Sequence, residues 1–225
     1  MTKLTIIIPV YNELETLPQV LEQVHALPVD KEVLIIDNVS TDGTREWLAE
    51  REEAGEKVVF QEVNLGKGNS VRTGIGQATG EFLVIQDADL EYEPRDILRL
   101  LETAEGGHAA VFGSRLLGRK PAVPWHHALG RDLLNLLFRL LYGCPLTDVA
   151  TCYKLLHTAV AQSLKLTSTG FDLDYEIACR LRLAGVPIVE IPIEYRPRTI
   201  EEGKKLRWTD GVRALNALLR YRLGG

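Results

Sequence analysis

The sequence predicts an α/β fold in which one mostly parallel sheet is flanked by helices within a single domain. Its 225 residues, 45% hydrophobic and 25% charged, have the composition of an ordinary globular protein. Short apolar runs alternate with helical patterns through the first 115 residues. No internal repeat, low-complexity tract or Gly/Ser linker divides the chain. We therefore expect one domain over residues 1–225.

The alternation of elements fixes the expected topology. Strands are predicted at residues 5–10, 31–37, 57–63, 81–87 and 109–113, with helices at 15–26, 42–54, 67–77 and 94–104. This order predicts a doubly wound, Rossmann-like sheet, which binds ligands beyond the carboxyl ends of its strands. After residue 116 the regular alternation stops, and we expect a loop at 119–124, helices at 128–142, 174–184 and 209–223, and a strand at 187–195.

Charge is distributed unevenly along the chain. The net charge is −5, but residues 1–111 hold 9 lysines and arginines against 21 acidic residues, whereas residues 112–225 hold 17 against 10. The second half is therefore expected to meet an anionic partner, either a phosphate or a membrane surface. Solvated surface charge can produce the same split.

The three cysteines show neither paired nor metal-ligand spacing, so no disulfide framework or zinc site is predicted, and a reducing cytoplasm fits best. The first apolar run is too short for a secretion signal. No stretch approaches the length of about 18 apolar residues that spans a bilayer. We expect a chain that is neither exported nor membrane-spanning.

Two carboxylates end one of the apolar strands. Asp87 and Asp89 follow Phe82-Leu83-Val84-Ile85-Gln86, and the alternation of a strand sends both side chains to the same side. Hard oxygen ligands of this kind suit Mg²⁺ or Mn²⁺ shared with phosphates, and Glu91 extends the acidic loop. The alternative is that these carboxylates serve only turn formation and helix capping before Pro94.

Two other strand ends carry candidate ligands. Asp37 follows Val33-Leu34-Ile35-Ile36 and is placed to accept hydrogen bonds from a nucleobase or ribose. Asp42 either assists it or only caps the next helix. The segment Gly66-Lys67-Gly68 lets backbone N–H groups and an ammonium approach an anion, although a plain loop-to-helix turn also explains it.

The motifs together resemble the family 2 glycosyltransferases with a GT-A fold, and within them the polyprenyl-phosphate branch. The resemblance spans about residues 4–210. It is carried by Ile8 to Glu13, Asp37 to Thr44, Asn64 to Gly68, Asp87 to Tyr92, Gly113-Ser114-Arg115, Thr147 to Lys154 and Glu202 to Lys205. Two positions depart from the pattern, because Asn38 stands where many relatives carry Asp, and Cys152 where a Gly is commoner.

The resemblance implies roles for individual residues. It places Pro9, Tyr11, Glu13 and Asp37 around the nucleoside, with Lys67 nearby. Asp87 would face the donor sugar, and Asp89 with Glu91 would hold the metal and the diphosphate. Arg115 and Arg131 would meet the acceptor phosphate, for which a bidentate guanidinium is suited. Lys204 and Lys205 would assist the departing diphosphate, unless their segment is only a solvated turn.

The implied reaction is the inverting transfer of a hexose from UDP-glucose or GDP-mannose to a polyprenyl phosphate. The implied cofactor is Mg²⁺ or Mn²⁺. Residues 1–115 would form the nucleotide-sugar-binding half, and residues 116–225 the acceptor-binding half with interfacial helices. The remaining alternatives are a saccharide acceptor or a catalytically silent nucleotide-sugar-binding protein.

The expected partners are the nucleotide-sugar donor, the lipid phosphate and a membrane surface, but no nucleic acid. A helical pattern of leucines from Leu129 to Leu141 fits either a bilayer interface or a core helix. The terminal helix, with Arg213, Arg220 and Arg222, either adds attraction to anionic lipid or is a solvated cap. Together these features predict a cytoplasmic protein that is peripheral on the cytoplasmic face of the membrane.

Overall fold

Residues 2–118, 125–198 and 208–224 are described by the structure, which is a computed structural model. Within these ranges the strands form one sheet of seven, in the order β3-β2-β1-β4-β6-β5-β7. Its strands are β1 Leu4–Val10, β2 Lys31–Asp37, β3 Lys57–Phe60, β4 Phe82–Ile85, β5 Ala110–Ser114, β6 Lys154–His157 and β7 Val189–Pro192. Every neighbouring pair is parallel except those that β6 makes with β4 and β5.

Helices connect and cover the strands. They are α1 Leu17–His25, α2 Thr44–Glu53, α3 Lys67–Gln77, α4 Asp96–Glu105, α5 Trp125–Tyr142, α6 Thr158–Ser163, α7 Leu173–Leu183 and α8 Trp208–Leu223. Helix α3 packs on β1 and β2, and α4 packs on β5 and β6, whereas α5, α7 and α8 pack on one another. Within the described residues no helix is both long and apolar enough to cross a bilayer.

The central strands read as continuous apolar runs because both of their faces are covered. Ile6, Ile7 and Ile8 of β1 are fully buried, as are Ile35 and Ile36 of β2. A strand that is buried on both sides gains hydrophobic free energy from every residue instead of every second one. The three cysteines are free and buried, in agreement with the expectation of no disulfide.

The predicted α/β class and the parallel alternation through residue 115 are confirmed, with element ends shifted by a few residues. Two elements were missed, β6 and α6. The four residues of β6 are too few to show a period, and the strand is recognisable only because β4 and β5 hold it between them. The predicted loop at 119–124 lies outside the described residues.

A buried carboxylate ties the amino-terminal edge of the sheet together. Glu32 accepts hydrogen bonds from Thr5 Oγ1 at 2.5 Å and from the Thr79 backbone N–H at 2.6 Å, and its other oxygen contacts Lys57 Nζ at 3.0 Å. Burial acts to raise the pKa of Glu32, but these bonds to the ionised form outweigh burial and lower its pKa to about 2.

We expect Glu32→Gln to destabilise the fold by about 2 kcal/mol at pH 7, because the amide cannot satisfy all of these donors. A depressed folded-state pKa stabilises the fold above the unfolded value of 4.5, and this contribution is lost as the pH falls toward about 2. Urea unfolding at pH 7 and pH 3 checks this, with the exposed Glu50→Gln as the control. If the difference in unfolding free energy between the wild type and Glu32→Gln does not shrink at pH 3, the depressed pKa of Glu32 is contradicted.

Candidate active site

Four loops converge at the carboxyl edge of the sheet, after β1, β2, β3 and β4. The first two are joined by hydrogen bonds. Asn12 N–H donates to Ser40 Oγ at 3.0 Å, and the Thr41 N–H donates back to Asn12 Oδ1 at 2.8 Å. Asn38 Nδ2 donates to Asn64 Oδ1 at 2.9 Å, which joins the second loop to the third. The departure at Asn38 therefore has a structural use in this chain.

Backbone strain is concentrated in the same loops. Asn12, Val39 and Leu90 have φ values of 52°, 64° and 60°, in the left-handed region that residues other than glycine rarely adopt. Each of these residues lies in a different strand-end loop. Strain of this kind persists only where surrounding contacts enforce it, and it clusters at functional sites.

The side of the crevice that was predicted to hold a nucleoside is built around Asp37. Both oxygens of its buried carboxylate have partners within the protein. Arg45 Nη1 lies 2.6 Å from Oδ2, and the Ser40 N–H donates to Oδ1 at 3.2 Å. Asp42 accepts from the Thr44 N–H at 3.0 Å and the Leu14 N–H at 3.3 Å. Asp42 thus supports the turn that leads into α2, whose N-cap residue is Gly43 and has no side-chain cap.

The other residues predicted around the nucleoside lie on or next to β1. Pro9 is within the strand and pairs with Ile36 of β2. Tyr11 follows the strand and is 38% exposed. Glu13 accepts from Thr16 Oγ1 at 2.9 Å. Lys204 and Lys205, predicted near the diphosphate, lie outside the described residues.

Lys67 and Asp87 form an ion pair across the crevice. Lys67 Nζ lies 2.6 Å from Asp87 Oδ1 and 5.6 Å from the centre of the Phe171 ring. Burial acts to lower the pKa of Lys67, but the charge of Asp87 holds it well above its usual range. The ammonium therefore stays charged, and it fixes the orientation of the Asp87 carboxylate.

The glycines beside Lys67 have a packing explanation. A Cβ at Gly68 would lie 2.7 Å from the Gly170 carbonyl oxygen, and one at Gly66 would lie 2.6 Å from that of Thr169. Gly66 also has a φ of +97°. Any side chain at these positions would collide with the segment that leads into α7. The Gly-Lys-Gly pattern is accounted for by this close approach.

The acidic loop after β4 is held by the chain that follows β7. Glu91 accepts from Tyr195 Oη at 2.7 Å and from the Arg198 N–H at 2.7 Å, so each carboxylate oxygen has a donor. Arg198 Nη2 lies 2.9 Å from Glu13 Oε2 and 3.6 Å from Asp89 Oδ2. Arg198 was not predicted as a site residue, because it precedes the predicted lysine segment and carries no motif of its own.

The donor atoms at this edge fit a divalent cation only in part. Asp87 and Asp89 supply hard oxygen ligands, with side chains 16% and 23% exposed. Among the described residues, no group of three or more His, Cys, Asp or Glu is arranged to enclose a metal. Because Asp87 is held by Lys67, Asp89 and the neighbouring Glu91 are the pair left for a cation, which would take its other ligands from water or from phosphate oxygens.

Arg115 is held by a buried carboxylate. Its Nε and Nη2 donate to the two oxygens of Asp148 at 2.6 and 2.7 Å, and its guanidinium lies 5.0 Å from the centre of the Tyr195 ring. A guanidinium has five N–H donors, so this bidentate pair leaves other donors available. Asp148 was not predicted as a site residue, although it lies in the quoted segment from Thr147 to Lys154.

Arg131 lies on the first half of α5, where its Nε donates to Asp132 Oδ1 at 2.9 Å. Burial raises the pKa of the Tyr175 phenol, while the charges of Arg115 and Arg131 both act to lower it. Both predicted arginines are thus close enough to act on one tyrosine of α7.

A second buried pair lies beneath the crevice and was also missed. Lys154 is fully buried, and its Nζ contacts the Thr151 carbonyl and lies 2.8 Å from Asp174 Oδ1. Asp174, in the first turn of α7, acts on Lys67 as well, since its charge helps to raise the pKa of that lysine. A charged residue inside the apolar β6 was the signal that would have revealed this pair.

Comparisons with known proteins show which family has this fold and these strand-end motifs. The model of glycosyl transferase family 2 matches residues 5–164, and the chain belongs to that family. The chain is 32% identical over 195 residues to glycosyltransferase AglJ of Haloferax volcanii, covering 86% of this chain and 63% of AglJ. The chain thus spans less than two thirds of that relative.

Other relatives are named for lipid-phosphate acceptors. The chain is 30% identical to undecaprenyl-phosphate mannosyltransferase of Micrococcus luteus, over 88% of this chain and 85% of that protein. It is 28% identical to polyprenol monophosphomannose synthase of Mycolicibacterium smegmatis, over 88% and 79%. The predicted resemblance to polyprenyl-phosphate transferases is therefore confirmed.

Solved structures support the fold. Glucosyl-3-phosphoglycerate synthase from Mycobacterium tuberculosis, in complex with Mn²⁺, UDP and phosphoglyceric acid, superposes with a TM-score of 0.73. The match covers 99% of this chain and 79% of that one at 19% identity, which supports the fold alone.

We expect Asp148→Asn to reduce the free energy of unfolding by about 3 kcal/mol, because it leaves the buried Arg115 guanidinium without its counter-charge. Asp132→Asn is the matched control. It breaks an arginine pair whose acidic side chain is 58% exposed, and we expect a change within about 0.5 kcal/mol. Urea unfolding measures both, and equal effects would show that the Arg115 pair contributes no more than a surface pair.

Proposed function

We propose that this chain transfers a hexose, with inversion, from UDP-glucose or GDP-mannose to a polyprenyl phosphate. One observation carries the proposal. Tyr195 donates from its hydroxyl to Glu91 on the acidic edge, while the guanidinium of Arg115 lies 5.0 Å from the centre of its ring. The Tyr195 side chain thus lies between two groups. Glu91 belongs to the carboxylate edge that suits a cation-bound diphosphate, and Arg115 suits a phosphate.

On the donor side, Pro9, Tyr11, Glu13 and Asp37 are assigned to the nucleoside. Asp37 accepts from Arg45 with one oxygen and from Ser40 of the second loop with the other, so a hydrogen bond donated by the nucleoside would reach a carboxylate that is already engaged. Residues 1–115 form the nucleotide-sugar-binding half in this proposal, and residues 116–225 the acceptor half.

Asp89 and Glu91 are assigned to Mg²⁺ or Mn²⁺, which would supply charge neutralisation for the departing nucleoside diphosphate. Asp87, oriented by Lys67, faces the sugar. Lys67, Lys204 and Lys205 add positive charge near the diphosphate. Asp42, predicted either to assist Asp37 or to cap a helix, is assigned here to support of the loop through its hydrogen bonds from Thr44 and Leu14.

On the acceptor side, Arg115 and Arg131 hold the lipid phosphate by charge-assisted hydrogen bonds. A phosphate oxygen then attacks the anomeric carbon from the face opposite the diphosphate. A phosphate monoester is already anionic at neutral pH, so the step needs no dedicated base. Asp174, a carboxylate of α7 whose charge acts on Lys67, is ion-paired with Lys154 instead of being held ready for a hydroxyl acceptor.

The transfer assay uses purified protein with polyprenyl phosphate, Mn²⁺ or Mg²⁺, and radiolabelled UDP-glucose or GDP-mannose. We expect label in the extracted lipid with one donor. We expect Asp89→Asn to lose at least about 100-fold in rate, because the cation's stabilisation of the leaving group amounts to several kcal/mol.

The control for that variant is Asp30→Asn, an exposed carboxylate at the opposite edge of the sheet. Label in a saccharide with none in lipid would replace the acceptor by the first alternative. Donor binding without any transfer would favour a silent nucleotide-sugar-binding protein. A wild-type rate for Asp89→Asn would remove that residue from the mechanism.

The acceptor lipid also requires a membrane surface, and we assign it to α5 and α8. Leucines at positions 129, 133, 136 and 140 project from α5 with exposures between 50% and 74%, while Phe138 on its other face is fully buried. The buried face of α5 fits the core-helix alternative, and the exposed leucines support the proposal of a bilayer interface. Helix α8 adds exposed Leu219 and Leu223 beside Arg220 and Arg222. This surface suits peripheral binding to anionic lipid on the cytoplasmic face.

We expect the double variant Leu133→Glu with Leu140→Glu to reduce binding to anionic phosphatidylglycerol vesicles by about tenfold or more, since each leucine contributes up to about 1.5–3 kcal/mol on full burial. Cosedimentation measures the bound fraction. Leu183→Glu, at an exposed leucine of α7, is the control. Equal loss in both variants, or no vesicle binding by the wild type, contradicts this surface.

A further inference from the structure

Arg198 occupies the acidic edge of the crevice as an internal cation. Its Nη2 lies 2.9 Å from Glu13 Oε2 and 3.6 Å from Asp89 Oδ2. The three side chains are 17%, 11% and 23% exposed. Charges in so sheltered a position are poorly screened by salt, so these contacts are stronger than those of a surface pair.

The backbone of the same segment engages the third carboxylate. The Arg198 N–H donates to Glu91 Oε1 and the Tyr195 hydroxyl donates to Oε2, each at 2.7 Å, while the Arg196 N–H donates to the Glu91 carbonyl at 2.8 Å. Tyr195 also forms an isolated bridge with Tyr92. Residues 195–198 are therefore held along the acidic loop by both side-chain and main-chain hydrogen bonds.

These contacts fall on the carboxylates that the proposed function assigns to the cation, so the inference rests on that function. The Arg198 guanidinium lies 3.6 Å from Asp89 Oδ2 and both oxygens of Glu91 have donors, so a divalent ion on these two carboxylates has to compete with them. Removing this positive charge without replacement would leave Glu13, Asp89 and Glu91 to repel one another.

We propose that Arg198 is the resident counter-ion of the metal edge and that a divalent cation binds by exchange with it. In this exchange Asp89 loses its contact with Arg198, and Glu91 loses its hydrogen bond from Tyr195. Both carboxylates then bind the cation. Because the two cations compete for one set of carboxylates, each lowers the apparent affinity of the other. The free protein therefore binds its metal more weakly than its carboxylates alone would allow.

The test measures Mn²⁺ binding to the full chain without nucleotide, from the electron paramagnetic resonance signal of free Mn²⁺. We expect Arg198→Gln to tighten Mn²⁺ binding on the order of tenfold. Tyr195→Phe, which frees only Glu91 Oε2, should tighten it by a smaller factor. Arg196→Gln is the control, because that side chain is 78% exposed and its nearest acidic partner, Glu194, lies 3.8 Å away.

Unchanged or weaker Mn²⁺ binding by Arg198→Gln overturns the exchange, provided that thermal unfolding shows a folded variant. Should that variant not fold, Tyr195→Phe decides, and unchanged affinity there overturns it equally. Absence of Mn²⁺ binding in every variant overturns this inference together with the metal assignment. The transferase function is judged separately, by label transferred to lipid in the wild type.

Discussion

Charge compensation in the crevice is the constraint on which the rest of the site depends. Parallel strands bring their carboxyl ends to one edge, and this chain ends several of them in acidic residues. Six of the described carboxylates at that edge are matched by internal cations, namely Arg45 for Asp37, Lys67 for Asp87, Arg198 for Glu13 and Asp89, Arg115 for Asp148 and Lys154 for Asp174. Without these partners the loops would repel one another.

This compensation joins the two parts of the chain. Arg198 comes from the second half but binds carboxylates of the first, and Tyr195 connects Glu91 to Arg115. The negative charge of the first half is therefore partly neutralised by positive charge from the second half. Only the positive charge that is not used in this way is left for an external anion. Surface arginines of α8 and the partly exposed Arg131 belong to that remainder.

Ion pairs at a binding site also set what a ligand must displace. Asp37 is already paired with Arg45 and Asp89 with Arg198, so any ligand of these carboxylates meets an occupied group. Such preorganised pairs hold the loops in position before the ligand arrives, at a cost in apparent affinity. The left-handed backbone at Asn12, Val39 and Leu90 is consistent with loops held by surrounding contacts in this way.

The sequence by itself determined the α/β class, the parallel order of the first half and the loops at which acidic residues gather, because periodicity and strand-end position are local properties. It also carried the family, through motifs that are contiguous in the chain. Tertiary structure alone decided that β6 inserts between β4 and β5, that Asp148 holds Arg115, and that Arg198 lies on Asp89. These contacts join residues from 33 to 109 positions apart, and no local pattern encodes which buried charge finds which partner.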